Sequence, residues 1–157
     1  GMGIGRIVKQ LPAKVIAQPL RTKARQASAA CTTLSALRPI AQLPPGTVFT
    51  FVDLSPRLIA MTPHKAIAGP YHRNGGAILD VFHAFRGQEH QAQQIMRRHG
   101  ADYLLICPNM AEGLNHRRAA PKGFLAQLQK GNVPAWLTPI ALPDKSPFQM
   151  WKIEKPR

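Results

Sequence analysis

The feature that most constrains the fold is a set of short segments that are apolar on both faces. Thr47–Val52 consists of β-branched and aromatic side chains, and Tyr103–Ile106 is apolar throughout. A strand has this composition when both faces of its sheet are covered, as in parallel sheets flanked by helices. Lys65–Gly69 is predicted to be a third, shorter strand.

Segments with helical periodicity surround these strands. Apolar residues recur at helical spacing over residues 27–43, 75–86, 88–99 and 122–130. Two further strands are expected at about residues 139–142 and 148–153, and the second alternates in polarity as an antiparallel or edge strand does. The alternation predicts the α/β class: a mostly parallel sheet flanked by helices in a Rossmann-like three-layer arrangement, with an antiparallel or edge C-terminal strand.

Ligands of such sheets bind outside the carboxyl ends of the strands. The polar residues that follow predicted strand ends are Asp53, Tyr71, His72, Arg73, Asn74 and Asn109. They are the candidate ligand-binding residues, together with His64 in the turn before the second strand.

The turn between the second strand and the next helix carries the most specific chemistry. Arg73 offers a planar fork for phosphate or carboxylate, and Tyr71 offers a stacking face for a sugar ring. His72 and Asn74 add donors and acceptors, and a helix starting near Gly75 would add its free amides. An anionic or sugar-phosphate ligand is therefore expected.

A purely structural role for the same turn is the alternative. Tyr71 and His72 would then lock the turn against the core, and Arg73 would pair with Asp53 or Asp80.

No complete catalytic motif is present. The six histidines have no partners at metal-ligand spacing, the serines lie in no nucleophile elbow, and the glycine-rich turn lacks a nucleotide-binding fingerprint. We therefore predict no metal, no cofactor and no enzymatic activity for the chain in isolation.

The net charge restricts the partners. Lys and Arg number 21 against 7 Asp and Glu, which gives +14 and favours an anionic partner: nucleic acid, acidic lipid headgroups or a phosphorylated ligand. Tyr71, Trp136 and Trp151 are scattered rather than interleaved with basic residues, which disfavours nucleic acid. A free-standing basic protein that binds nucleic acid or a phosphorylated metabolite is the alternative function.

The basic excess is strongest at the N-terminal end, where no acidic residue precedes Asp53. Residues 1–27 are interpreted as a basic arm or juxtamembrane linker that could rest on anionic headgroups, or as a frayed tail. Residues 28–157 then form a single α/β domain. Cys31 and Cys107 fit either one disulfide or two free thiols on this evidence.

Several short motifs give the chain a family resemblance. They are Leu43-Pro44-Pro45-Gly46, Val52-Asp53-Leu54-Ser55-Pro56, Thr62-Pro63-His64, Pro70-Tyr71-His72-Arg73-Asn74, Asp102-Tyr103 and Cys107-Pro108. With these motifs the chain resembles the C-terminal soluble region of uncharacterised bacterial multi-spanning membrane proteins, which are similar in layout to C-type lipid-linked-sugar glycosyltransferases.

The resemblance implies an extracytoplasmic or periplasmic domain tethered to its own membrane-embedded region, with a cytoplasmic location as the alternative. It implies a non-catalytic accessory or ligand-recognition role in an envelope membrane protein linked to glycan or lipid-linked sugar transfer. It transfers no catalytic residue to this chain. It also favours a Cys31–Cys107 disulfide, because that side of the membrane is oxidising.

Overall fold

The computed structural model describes residues 18–68 and 75–156. Its elements in chain order are α1 (Gln18–Cys31), α2 (Leu34–Ala41), β1 (Thr47–Phe49), a 3₁₀ helix (Val52–Leu54), α3 (Ser55–Met61), β2 (Lys65–Ala66), α4 (Gly75–Arg86), α5 (Glu89–Arg98), β3 (Tyr103–Ile106), α6 (Ala111–Ala119), α7 (Phe124–Gln129), β4 (Leu137–Pro139) and β5 (Gln149–Ile153). Within these ranges, no helix has the length and apolarity that a membrane crossing requires.

The strands form one five-stranded sheet in the order β2-β1-β3-β5-β4. β1 is parallel to both β2 and β3, whereas β5 is antiparallel to β3 and β4. The predicted α/β class and the antiparallel C-terminal strand are confirmed. β5 lies inside the sheet, and the edge is formed by β4, which begins at Leu137 rather than near residue 139.

The core lies on both faces of the central strands. All four residues of β3 are buried, as the apolar composition of this segment predicts. On β1 and the segment after it, the Phe49 and Phe51 rings contact the Phe85 ring of α4 at centroid distances of 5.6 and 5.1 Å. These aromatic contacts fix α4 against the carboxyl end of β1.

The single helix expected over residues 27–43 is in fact two helices. α1 ends at Cys31 and α2 begins at Leu34, because Thr33 caps the second helix by accepting a hydrogen bond from the Ala36 N–H at 3.1 Å. The Thr32 hydroxyl donates to the Ser28 carbonyl at 2.8 Å and so occupies an acceptor at the end of α1.

α1 also begins earlier than expected, at Gln18. Pro19 is its second residue, a position where a missing N–H breaks no helical hydrogen bond. The predicted boundary at residue 27 therefore falls within a helix that is buried at Ala24 and Cys31. Residues 1–17 lie outside the described residues, and the basic arm remains a prediction.

The disulfide between Cys31 and Cys107 is confirmed, with the two Cα atoms 6.4 Å apart. It joins the end of α1 to the residue that follows β3. Both cysteines are fully buried.

Helix α6 was not predicted from the sequence. It contains Gly113, a poor helix former, but an added Cβ at this position would lie 2.9 Å from Cζ of Phe51. Because the Phe51 ring is fully buried, it has little room to move, and glycine allows α6 to pack closely against the segment after β1.

Candidate functional site

A cleft of about 570 Å³ opens where β1 runs into the 3₁₀ helix, at the carboxyl edge of the parallel strands. The walls of the cleft come from the 3₁₀ helix, α4 and α6. The residues that line the cleft are Val52, Asp53, Ile78, Phe82, Arg86, Glu112, Asn115, Arg118 and Ala119. This is the edge at which an α/β sheet ordinarily binds its ligands.

A chain of polar contacts, centred on the buried Glu112 and His116 side chains, holds the three walls together. The Glu112 carboxylate accepts hydrogen bonds from the Val52 N–H at 3.0 Å and the Asp53 N–H at 2.9 Å. The His116 ring lies one helical turn further along α6, with Nε2 3.0 Å from Glu112 Oε2. The Arg86 Nε–H donates to His116 Nδ1 at 3.0 Å, which joins α4 to α6.

The geometry fixes the protonation state of the imidazole. Because the Arg86 Nε–H donates to Nδ1, this nitrogen of His116 carries a lone pair. Nε2 therefore carries the proton and donates it to the Glu112 carboxylate. A neutral imidazole thus lies between a guanidinium and a carboxylate.

Arg86 is held on two sides. Its Nε is bound to His116, and its guanidinium carbon lies 4.8 Å from the centroid of the Phe82 ring, a cation–π distance. The salt bridges found within residues 18–68 and 75–156 do not include Arg86. The guanidinium is therefore fixed at the wall of the cleft without a carboxylate partner in that part of the chain.

Asp53 lines the cleft, and its N–H is bound to Glu112. Asp53 is exposed as a whole residue, but partial desolvation at the cleft wall, and then the negative charge of Glu112, raise the pKa of its carboxyl above the usual value of 3.8. The ionised carboxylate of Asp53 is therefore held in the fold at a cost in stability.

Asp53→Asn is expected to stabilise the protein at neutral pH. A carboxyl whose folded pKa is raised costs stability above that pKa and costs nothing once the pH falls well below the unfolded value. The gain in melting temperature over the wild type should therefore shrink as the pH is lowered through the Asp53 pKa. Thermal unfolding as a function of pH measures this; an equal difference at every pH would contradict it.

The structure brings only part of the predicted site together. Asp53 lies in the cleft, and Asn109 follows β3 at the same edge, in a turn with a positive φ of 70°, but does not line the cleft. Residues 71–74, which include Tyr71, His72, Arg73 and Asn74, lie outside the described residues, so their proposed binding role stays a prediction.

His64 lies apart from the other candidates. It precedes β2, and its Nδ1 accepts a hydrogen bond at 3.2 Å from the N–H of Gly46, which precedes β1. Its Nε2–H donates to the Ile40 carbonyl at 2.7 Å. His64 is therefore buried, with both ring nitrogens bonded, at the amino edge of the parallel strands rather than at the carboxyl edge.

No pattern in the sequence indicated Arg86, Glu112 or His116 as site residues. The spacing of Glu112 and His116, four residues apart, was the available signal, but it has meaning only on a helix, and α6 was not predicted. Among the described residues, no group of three or more His, Cys, Asp or Glu side chains is placed to hold a metal ion.

Comparisons with known proteins identify the fold. No family model and no curated protein sequence matches the chain. Among solved structures, the chain is similar to the C-terminal globular domain of an oligosaccharyltransferase from Archaeoglobus fulgidus, with a TM-score of 0.54 and 13% sequence identity. The match covers 77% of this chain and 94% of the archaeal domain. At this identity, the likeness establishes a shared fold.

Proposed function

We propose that this chain is a non-catalytic accessory or ligand-recognition domain of an envelope membrane protein that takes part in glycan or lipid-linked sugar transfer. The observation that carries the proposal is the fold shared with 94% of the C-terminal globular domain of an oligosaccharyltransferase. Two domains of one architecture can serve different functions, so the site and the compartment must support the same conclusion.

The hydrogen bonds of Glu112 and His116 support a structural role for this pair rather than proton transfer. A general base needs a lone pair that is free to take a proton from a substrate. Both carboxylate oxygens of Glu112 accept hydrogen bonds from the protein, and both ring nitrogens of His116 are engaged. These groups stabilise the walls of the cleft, and their use in proton transfer would break those bonds.

The disulfide supports an extracytoplasmic location. Disulfides persist in oxidising compartments and are rare where glutathione keeps thiols reduced. A buried Cys31–Cys107 bond therefore suits a domain on the outer side of the membrane, tethered to a membrane-embedded region of the same protein. The charge of +14 would favour contact between the domain and anionic headgroups.

The test uses the full-length protein in its native cells. Deleting residues 18–157, which removes the domain from the start of α1, should abolish or strongly lower formation of the glycan product, while the membrane region is still inserted. Because both cysteines are buried, the protein is labelled with a thiol-specific reagent under denaturing conditions, and Cys31 and Cys107 should react only after reduction. Unchanged glycan formation would overturn the proposed role, and free thiols in freshly lysed cells would overturn the proposed location.

A further inference from the structure

We propose that the cleft beside Arg86 binds a hexose that carries a phosphate ester, with the phosphate at Arg86 and the sugar hydroxyls at Asp53 and Asn115. The proposal deepens the proposed function, on which it rests for the biological source of the ligand.

The phosphate end of the site is defined by Arg86. Its Nε is bound to His116 and its plane lies against Phe82, so the guanidinium is fixed before any ligand arrives. A guanidinium held by one edge keeps its terminal N–H groups for a planar, two-point contact with a phosphate. Arg118 lines the same cleft and adds a second positive charge.

The hydroxyl end of the site is defined by two acceptors. The Asp53 carboxyl lines the cleft, and its raised pKa reflects partial burial and the nearby charge of Glu112. The side-chain oxygen of Asn115, which also lines the cleft, is buried and has no hydrogen-bond partner among the described residues. A buried acceptor without a partner costs free energy, and a sugar hydroxyl would supply the missing donor.

The size and the apolar lining suit a single sugar ring. A cleft of about 570 Å³ lies within the range of about 300–1,000 Å³ that is usual for small-molecule sites. Val52, Ile78 and Phe82 provide apolar surface for the C–H face of the ring.

The presence of both acidic and basic side chains in the cleft argues against a nucleic acid or a divalent cation as the ligand. Asp53 and Glu112 would repel a polyanion such as a nucleic acid that ran along the cleft. A divalent cation needs several oxygen ligands, and in the part of the chain that the structure describes no group of three or more His, Cys, Asp or Glu side chains is placed to hold one. A small ligand with one anionic group and several hydroxyls matches both ends of the site.

Calorimetric titration of the purified chain tests this inference with glucose 1-phosphate, inorganic phosphate and glucose. Arg86→Gln should weaken glucose 1-phosphate binding roughly tenfold or more, because a charge-assisted two-point contact is lost. The matched control is Arg97→Gln, which removes one charge from an exposed arginine of α5 that does not line the cleft. This control should change the affinity by less than about twofold, since exposed charges are screened.

Asp53→Asn tests the hydroxyl end of the site independently of the phosphate end. It should weaken glucose 1-phosphate roughly tenfold and leave the affinity for inorganic phosphate unchanged or higher, because the carboxylate accepts from hydroxyls but repels phosphate. Ile78→Trp is the second variant, since Ile78 is 38% exposed at the cleft and takes no part in the buried polar chain. It should abolish binding while leaving the melting temperature near that of the wild type.

The proposal is overturned if glucose 1-phosphate does not saturate the wild type, if Arg86→Gln and Arg97→Gln weaken it equally, or if Ile78→Trp binds as well as the wild type. Neutral vesicles with and without a polyprenyl-phosphate hexose distinguish a lipid-linked source from a free sugar phosphate. Vesicle binding that glucose 1-phosphate displaces and Arg86→Gln abolishes supports the lipid-linked source. Binding of the free compound alone supports the free one.

Different experimental results would contradict the proposed function and the proposed ligand. Loss of glycan product on domain deletion, with no binding of glucose 1-phosphate, would remove the ligand assignment alone. Binding with the predicted variant pattern, and unchanged glycan formation on deletion, would remove the glycan-transfer role alone.

Discussion

Replacing both Cys31 and Cys107 by serine is expected to lower the free energy of unfolding by about 4.5 kcal/mol, because the disulfide closes a loop between residues 76 apart and so restricts the unfolded chain. A loss of this size is a large share of the stability of a domain, which is usually about 5–15 kcal/mol. Urea denaturation of the oxidised wild type and of the double variant measures the difference.

Two controls separate the cross-link from the side chains. Reductant should destabilise the wild type to about the level of the double variant and leave the double variant unchanged. Hydrogen exchange should show faster exchange in α1, because the bond cross-links the C-terminal end of this helix to the residue after β3. A loss below about 1 kcal/mol in urea would contradict the prediction and would imply that packing of α1 alone holds it in place.

The alternation of strands and helices could be predicted because it rests on local composition. Tyr103–Ile106 is apolar on both faces because the strand is covered on both faces, and Gly87 separates α4 from α5 where the periodicity breaks. Gly100 and Gly131 follow helices with φ values of 64° and 94°, conformations that glycine adopts without strain.

The remaining features depend on contacts that are distant in sequence. The place of β5 between β3 and β4 is set by strand pairing, which no local pattern specifies. The sequence of α6 contains Gly113 and Asn115 and gives a weak helical signal, yet Gly113 is required by the ring of Phe51. Tertiary packing overrides helix propensity at this point.

The candidate site also contains both residues that could be predicted from the sequence and residues that could not. Asp53 could be predicted, because a polar residue after a buried strand marks the carboxyl edge of a sheet. Arg86 could not, because its role depends on His116, which is 30 residues away in the sequence. Its guanidinium is held by contacts within α4 and between α4 and α6, which the local sequence around Arg86 does not specify.

Glu112→Ala is expected to destabilise the protein by about 3–5 kcal/mol, because three donors lose their shared acceptor. The change would leave the N–H groups of Val52 and Asp53 and the Nε2–H of His116 without their acceptor. Each of these donors is worth about 1–3 kcal/mol when buried and unpaired. Chemical denaturation of the variant and the wild type measures the loss.

Glu89→Ala is the matched control for this substitution. The Glu89 side chain is exposed and accepts one hydrogen bond, from Trp136 Nε1 at 3.0 Å, so its loss should cost less than about 1 kcal/mol. Glu112→Gln should lower the free energy of unfolding by an amount between those of Glu112→Ala and Glu89→Ala. The amide keeps one acceptor oxygen but presents an NH₂ group to donors that need an acceptor. If Glu112→Ala costs no more than Glu89→Ala, the buried chain does not hold the cleft walls. Arg86 would then lack the fixed geometry on which phosphate recognition depends.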